Sequence, residues 1–262
     1  MKRSVWITVI TIITVCCVIG GTFYHIFRYG AGFFGHGATE NTSLELEAFD
    51  AINVDANLMN VTITAGNQFY LSCVYSDELE PVYEVKSGTL TIKQRVYSRV
   101  GVNNAECSLS LTVPAQKVLD SINVHTALGN IELEGISASE CELLSNMGNC
   151  TLRKCSFDKS DLKTNLGEIS VRDTGLGKAE VDNDMGEINL DACTFGDLSI
   201  TASMGGVKVD AAQALDGYDM ELEADLGSVH VNNRDEGTKY HQSGSDGELE
   251  IDTNMGSIRL TY

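Results

Sequence analysis

The sequence predicts an all-β fold, a single-stranded β-solenoid or β-helix with coils of about 19 residues, preceded by one N-terminal transmembrane helix. Two observations predict it: a short phrase that returns at a fixed spacing beyond residue 120, and an uncharged apolar run near the N-terminus. The hydrophobic content of 43% is high enough for a packed core. With 18 Lys+Arg against 37 Asp+Glu, the net charge of −19 repels phosphate backbones and argues against nucleic acid as a partner.

The repeated phrase consists of a polar residue, a long aliphatic residue, glycine and then alternating apolar positions, as in NLGEISV and NMGSIRL. Its glycines are separated by 19, 19, 19, 19, 22 and 29 residues: Gly129, Gly148, Gly167, Gly186, Gly205, Gly227 and Gly256. A period near 20 residues is typical of solenoids, in which each coil buries its apolar face against the next. We interpret the two longer final gaps as loops inserted into otherwise similar coils.

Aligning the repeats on their glycines places similar residues in columns. Leu or Met precedes each of these seven glycines by one position, and Ile, Val or Cys follows it by two. A further apolar column advances in the same step of 19: Leu143, Leu162, Val181 and Ile200. Polar residues alternate with these positions, which predicts strands with one buried face. We expect each glycine to occupy the third position of a β-turn that requires a positive φ.

Residues 44–120 contain strand-like sequence without the strict period. The segment FDAINVDANLMNVTITAG resembles one coil with Met59 in place of the glycine, and longer alternating stretches follow it. We expect residues 44–120 to form an N-terminal β cap of the solenoid, whose repeats occupy residues 121–262. A separate small β-sandwich is the alternative interpretation of this segment.

The run from Val5 to Phe27 is uncharged over 23 residues, which is long enough to cross a bilayer core of about 30 Å as a helix. We therefore expect residues 1–28 to form a cytoplasmic tip and a transmembrane anchor that contacts the membrane through residues 5–27. Residues 29–43 are expected to form a flexible stalk. A cleaved signal peptide is the alternative, although the run exceeds the usual length of its apolar region.

The distribution of charge predicts the orientation of this anchor. Lys2 and Arg3 precede the apolar run, so the positive-inside rule places the N-terminus inside and the β domain outside the cytoplasm. Every carboxylate lies beyond the run, together with 15 basic residues if Arg28 is counted with the anchor. The predicted localisation is therefore the cell membrane, with a single pass and an acidic ectodomain.

Six cysteines lie beyond the predicted anchor: Cys73, Cys107, Cys141, Cys150, Cys155 and Cys193. The first four alternate in phase with apolar residues, so we expect them to point into the core as small hydrophobes. Cys155 and Cys193 share a column but are two coils apart, about 9.6 Å at the spacing of neighbouring strands. That exceeds the limit of about 7 Å for a disulfide. Disulfide pairing remains the alternative, because the number of cysteines is even.

No catalytic, cofactor-binding or metal-ligating residue is predicted. The sequence has no Gly-x-Ser-x-Gly elbow and no Cys-x-x-Cys, and His125, His230 and His241 lack the spacing of metal ligands. Glu168 and Glu187 are expected to stack outward in adjacent coils, where like charges repel. We expect a solvated acidic face there, and a bound Ca²⁺ is the alternative.

The order of the phrases FDAINVDANLMNVTITAG, VKSGTLTIKQ, LTVPAQKVLDSINVHTALGNIEL and NLGEISV resembles the bacterial DUF4097 family over residues 47–262. The resemblance implies a membrane-tethered or envelope-associated β-strand repeat protein. The family also carries the label "putative adhesin", and some members are linked to envelope-stress responses. The resemblance implies no catalytic residues for this chain.

These observations predict a non-enzymatic surface protein that binds an unknown protein or glycan partner on the solenoid face. Two alternatives belong to other classes. One is a polysaccharide-active β-helix enzyme, which would need a groove with paired carboxylates or basic residues. The other is a scaffold that assembles through the ends of the solenoid.

Overall fold

A computed structural model describes residues 39–76, 79–94 and 107–262 of the protein. These residues fold into two β-sheets of 12 and 11 strands. Among them, no helix is long and apolar enough to span a membrane. The predicted anchor over residues 5–27 lies outside the described residues, as does most of the predicted stalk. The end of that stalk, residues 39–43, belongs to the first strand rather than to a flexible segment.

The N-terminal part of the described chain contributes seven strands: β1 (Thr39–Glu45), β2 (Ala51–Leu58), β3 (Asn60–Gly66), β4 (Tyr70–Ser76), β5 (Val82–Lys86), β6 (Thr89–Lys93) and β7 (Ser108–Pro114). The regular repeats then alternate a long strand with a short one: β8 (Val118–Leu128), β9 (Ile131–Glu134), β10 (Ser137–Met147), β11 (Cys150–Arg153), β12 (Ser156–Leu166), β13 (Ile169–Arg172), β14 (Lys178–Met185), β15 (Ile188–Cys193), β16 (Leu198–Met204) and β17 (Val207–Ala211). Six strands follow: β18 (Asp219–Leu226), β19 (Val229–Val231), β20 (Arg234–Gly237), β21 (Lys239–Gln242), β22 (Glu248–Met255) and β23 (Ile258–Thr261).

Each regular coil consists of a long strand, a tight corner at the repeat glycine and a short strand. The long strands stack in parallel in the 11-stranded sheet, here called the long-strand sheet, and the short strands stack in parallel in the 12-stranded sheet, the short-strand sheet. Successive coils pair one repeat apart, so that Leu143 lies beside Leu162, and Cys150 beside Ile169. The predicted all-β, solenoid-like fold and its step of 19 residues are confirmed.

The inward-facing residues of both sheets form one continuous hydrophobic core. The apolar column that begins at Leu143 is fully buried, and so is the column of the short strands that begins at Ile131. Outward positions between them are polar and partly or fully exposed. This division follows from the alternation of side chains along a strand, combined with a neighbouring coil on each side.

The repeat glycines form a ladder in which the backbones of successive coils approach closely. A Cβ added to Gly167 would overlap the carbonyl oxygen of Gly148, and the same overlap recurs along the ladder. Several of the glycines also have a positive φ, such as +154° at Gly167. The expected turn geometry is therefore only part of the reason for glycine. The stricter requirement is steric, because no side chain fits between the stacked coils at this corner.

A second ladder of buried polar side chains satisfies the carbonyl groups of this corner. The Thr164 hydroxyl donates to the Gly148 carbonyl at 3.0 Å, and the Asn183 amide donates to the Gly167 carbonyl at 2.9 Å. Corresponding bonds come from three further buried side chains: Thr126, Ser145 and Thr253. Because an unpaired buried carbonyl is costly, these side chains stabilise the close approach that the glycines permit.

Met59 occupies the glycine position of the coil β2–β3 and is 1% exposed. Its carbonyl oxygen lies where a Cβ on Gly129 would be placed, so Met59 begins the ladder. On its other side Asn60 donates its N–H to the carbonyl of Cys107, which belongs to a layer without a repeat glycine. The side chain of Met59 is therefore accommodated, because the layer on that side has no glycine corner stacked against it.

The spatial order of the coils differs from the chain order at both ends. The C-terminal coil β22–β23 lies between β16–β17 and β18–β19. At the other end, the coil β2–β3 lies between the layer of β6 and β7 and the coil β8–β9, and continues the same two sheets rather than forming a separate sandwich. Antiparallel strands end each stack, namely β5 and β21 in the long-strand sheet, and β1 and β20 in the short-strand sheet.

The interpretation of the last gap as a simple inserted loop is therefore wrong. The step of 29 positions from Gly227 to Gly256 contains the antiparallel strands β20 and β21, after which the chain returns to fill a gap in the stack. The turn spacing alone does not distinguish a loop from such a return, because both lengthen the chain between two similar coils.

We predict that Gly167→Ala destabilises the fold by about 2–4 kcal/mol, because the new methyl group overlaps the neighbouring backbone and the residue has a positive φ. Thermal unfolding of the full chain in detergent, followed by circular dichroism, measures the effect. Gly175→Ala is the matched control, since a Cβ there meets only ordinary van der Waals contacts. Equal melting temperatures for the two variants would contradict the close-approach explanation.

Candidate functional site

The outer face of the long-strand sheet carries a charge cluster centred on one lysine. The Lys163 ammonium lies 3.2 Å from Asp161, 3.5 Å from Glu180 and 3.4 Å from Asp182. Burial lowers the pKa of Lys163, but hydrogen bonds to Asp161 and Asp182 and their charges raise it by more, so the net shift is upward. One cation thus holds three carboxylates together on neighbouring strands β12 and β14, which is a structural role.

A grid of six carboxylates covers two neighbouring strands of the same face. Three residues of β18 are each paired with one of β22: Asp219 with Glu248, Glu221 with Glu250, and Glu223 with Asp252. Partial burial raises the pKa of Asp252, and the charges of Glu223 and Glu221 raise it further. Lys239 of β21 lies 2.5 Å from Glu223 and offsets part of the repulsion at the edge of the grid. The remaining charges face solvent.

Glu168 and Glu187, the acidic pair expected from the repeat, are exposed in adjacent coils. Glu168 accepts a hydrogen bond from the Asn189 amide at 3.0 Å. Among the described residues, no group of three or more His, Cys, Asp or Glu side chains is placed to hold a metal ion. His125 lies 3.5 Å from Asp55, while His230 and His241 lie on other strands far along the stack.

All six cysteines beyond the predicted anchor are buried as free thiols. The inward positions expected for Cys73, Cys107, Cys141 and Cys150 are confirmed. Cys155 and Cys193 are buried too, with Thr174 between them: its hydroxyl accepts the N–H of Cys155 at 3.2 Å.

Burial also changes the acidity of these thiols. It raises the pKa of Cys73 and Cys193 to about 11 and that of Cys150 to about 12, although backbone hydrogen bonds lower the pKa of Cys193 in part. Because the thiolate is the nucleophilic form, these side chains are poor nucleophiles in the folded protein.

A row of basic side chains lies on the outer face of the short-strand sheet. Lys208 of β17, Arg259 of β23 and His230 of β19 are direct neighbours across the strands. At a strand spacing of about 4.8 Å, the row extends about 10 Å along the stack. Lys208 and Arg259 are exposed, and His230 is half-buried. We call these three residues the basic row.

A cavity of about 270 Å³ lies against the basic row. Its walls also include the Ser257 hydroxyl, the Asn189 side chain and one carboxylate, that of Glu187. The Ser257 hydroxyl oxygen accepts the Ser228 N–H at 3.3 Å and also lies 3.3 Å from the Ser228 hydroxyl. This is an open surface depression with ammonium, guanidinium and hydroxyl donors, which suits an anionic ligand.

The basic row differs from the other adjacent cations of the same sheet in whether a carboxylate lies close to each cation. Arg153 and Arg172 also lie side by side, but each is matched by a carboxylate: Glu132 at 3.3 Å and Asp191 at 2.7 Å. In the described part of the chain, no carboxylate oxygen lies within 4 Å of Lys208 or Arg259. In a protein of net charge −19, two adjacent cations without carboxylate partners form the strongest candidate binding site.

The basic row is not among the sites predicted from the sequence, although the sequence contains a signal for it. All three residues follow a repeat glycine by three positions: Lys208 after Gly205, His230 after Gly227, and Arg259 after Gly256. The corresponding column in the earlier repeats is acidic or neutral. Listing the outward columns by charge, as well as the inward columns by hydrophobicity, would have shown this cluster.

Fold and surface together define a parallel β-solenoid whose polar chemistry lies on flat outer faces built from repeated columns. The sequence profile of Toastrack DUF4097 matches residues 49–259, most of the chain. The protein belongs to this family, and the resemblance noted from its sequence phrases is confirmed. No curated protein sequence matches the chain.

Solved structures similar to this chain include several bacterial proteins. A "putative cell adhesion protein" from Clostridium sporogenes is 19% identical, with 86% of this chain and 99% of that chain covered and a TM-score of 0.37. A "putative adhesin" from Bacteroides fragilis is 13% identical, with 86% and 98% covered and a TM-score of 0.48. A "putative lipid binding protein" from Parabacteroides distasonis is 18% identical, with 87% and 98% covered and a TM-score of 0.43. At these scores the family assignment depends on the sequence profile alone.

We predict that Lys163→Met destabilises the protein by about 1 kcal/mol, because three carboxylates then lack their shared cation. The loss should shrink at high salt, since screening weakens the repulsion. Because folding raises the pKa of Lys163, its stabilising contribution is present at neutral pH and is lost as the pH rises through that raised pKa. Thermal unfolding at two salt concentrations measures this. The control is Lys159→Met, an exposed lysine of the same strand without an ion pair, and an equal loss in both variants would contradict the cluster.

We predict the opposite sign for Asp252→Asn, which should stabilise the protein by about 0.5 kcal/mol at neutral pH by removing one of the facing like charges. Because folding raises the pKa of Asp252, the native state favours its protonated form, so the gain diminishes as the pH falls and the Asp252 carboxyl of the wild-type protein becomes neutral. Thermal unfolding at pH 7 and at low pH compares the two states. Asp191→Asn, which removes the partner of Arg172, is the control and should give no gain.

Proposed function

We propose that the protein is a non-enzymatic, membrane-anchored protein of the cell envelope, whose acidic β-solenoid lies outside the cytoplasm and binds a partner on its outer face. The proposal combines two parts that have separate support. The uncharged run of residues 5–27, preceded by Lys2 and Arg3, supports the anchor and its orientation. The basic row and its cavity support binding.

The single observation that carries the binding role is a pair of adjacent cations on a rigid surface, with no carboxylate partner in the part of the chain that the structure describes. Lys208 and Arg259 project from parallel strands whose backbones are hydrogen-bonded on both sides. Their spacing is fixed by the sheet, so a ligand that matches it loses little binding energy to ordering the protein. The free thiols lie in the core, away from this surface. Exposed cations on a rigid sheet, with the thiols buried in the core, are suited to recognising a ligand rather than to covalent chemistry.

Cysteine labelling on intact cells tests the location. A membrane-impermeant maleimide should label Thr201→Cys, an exposed position of the long-strand sheet, without lysis. Ser4→Cys, on the other side of the apolar run, should be labelled only after the membrane is permeabilised. The wild-type chain is the matched control, since its six buried thiols should not react while the protein is folded.

Two results would contradict the proposal. Labelling of Thr201→Cys only after lysis would place the solenoid inside the cell. Recovery of the chain in the soluble fraction, shortened at its N-terminus, would show that the apolar run is a cleaved signal peptide rather than an anchor.

A further inference from the structure

We infer that the basic row binds phosphate groups of a linear, non-nucleic polyanion, such as a polyphosphate or polyol-phosphate chain. The inference rests on the proposed function, because it names the ligand class for the same surface. Three features of the site support it: the donor set, the linear arrangement of the cations and the charge of the surroundings.

The donor set suits phosphate oxygens. Arg259 offers a planar fork of N–H donors, Lys208 an ammonium group and Ser257 a hydroxyl, all at one cavity. Phosphate groups accept several charge-assisted hydrogen bonds at once, and a guanidinium fork matches two of their oxygens. Since neither cation has a carboxylate partner within 4 Å among the described residues, binding does not require any ion pair seen there to break.

The arrangement of the donors suits a chain rather than a single ion. The three basic residues lie in line across three successive layers, over about 10 Å. One phosphate group cannot contact both ends of such a row, whereas neighbouring groups of an extended polyanion can contact successive layers. The row therefore predicts higher affinity for a linear phosphate polymer than for inorganic phosphate.

The surrounding charges restrict the shape of the ligand. Glu187 lines the same cavity, and Asp235 of β20 is the neighbour of His230 across the strands. The net charge of −19 repels a phosphate polymer at long range. At physiological salt the Debye length is about 8 Å, so this repulsion is largely screened at the site and the charges beside the row decide binding. A narrow chain can follow the row and avoid these carboxylates. The headgroups of an anionic bilayer would lie close to these carboxylates as well as to the cations and would be repelled by the carboxylates. The geometry therefore favours a soluble or wall-bound polymer over a lipid surface.

The same surroundings argue against nucleic acid as the polyanion. Proteins that bind single strands combine cations with aromatic side chains on which bases stack. The residues that line this cavity include no Phe, Tyr or Trp side chain. A phosphate chain without bases requires only the donors that the row provides.

Calorimetric titration of the full chain in nanodiscs of a zwitterionic lipid tests the inference, with linear polyphosphate, inorganic phosphate, an oligonucleotide and phosphatidylglycerol vesicles as probes. We expect polyphosphate to bind more tightly than the other three. Lys208→Gln/Arg259→Gln should weaken its binding at least about tenfold, because two charge-assisted contacts are lost. Glu187→Gln should strengthen it, because a repelling carboxylate at the cavity wall is removed.

The matched control is Arg153→Gln/Arg172→Gln. It removes the same number of cations from neighbouring positions of the same sheet, but these two are already paired with carboxylates. We expect its affinity for polyphosphate to change less than about twofold. Circular dichroism of all variants verifies that each is folded.

Four results would overturn the inference. These are absence of polyphosphate binding, equal weakening in both double variants, tighter binding of the oligonucleotide, and binding to the vesicles alone. The last would assign the row to lipid headgroups. Each of these outcomes is independent of the labelling experiment, so an exposed solenoid that binds no phosphate would refute this inference while the proposed location stands.

Discussion

The close stacking of backbones at the glycine corner is the constraint on which the rest of the structure depends. Each repeat glycine lies against a backbone carbonyl group of the neighbouring layer, that of Met59 for Gly129 and that of another glycine for the rest, and no Cβ fits between them. The buried hydroxyl of Thr164 and the amide of Asn183 then bond to the carbonyls of that corner. Steric fit and hydrogen bonding thus act on the same atoms and fix where each coil lies relative to the next.

This fixed register separates the roles of the two faces of every strand. Inward positions repeat hydrophobic residues because each must pack against its counterpart in the next coil, as Leu143 does against Leu162. Outward positions carry no such requirement, so their charge can vary freely from coil to coil. Three groups of charged residues occupy such outward positions. The acidic grid of β18 and β22 and the cluster around Lys163 lie on the long-strand sheet, and the basic row lies on the short-strand sheet.

Much of the fold was predictable because its determinants are local and repeat in the sequence. The step of 19 residues, the buried column of Leu143 and the inward direction of Cys150 all follow from alternation and spacing. The second corner of the coils was not predictable, because it lacks a common residue type. It places Lys154 and Asp173 at φ values of +53° and +51°, where Gly135 stands in another coil.

The basic row was less accessible for a different reason. Lys208 and Arg259 are 51 residues apart in the sequence, and only the return of the C-terminal coil brings them together. If the coils were stacked in chain order, His230 would lie between Lys208 and Arg259, and the two cations would not be neighbours. The alternation of a sequence determines which face a residue occupies, whereas long-range strand order determines which residues become neighbours.

The inserted C-terminal coil therefore connects the completion of the fold with the formation of the candidate site. Strand β23 contributes Arg259, and it pairs with β17 on one side and with β19 on the other. Until this strand is in place, Lys208 and His230 belong to two separate strand edges. Strand β23 thus both closes the stack and completes the basic row. A surface that depends on long-range pairing in this way exists only in the fully assembled solenoid.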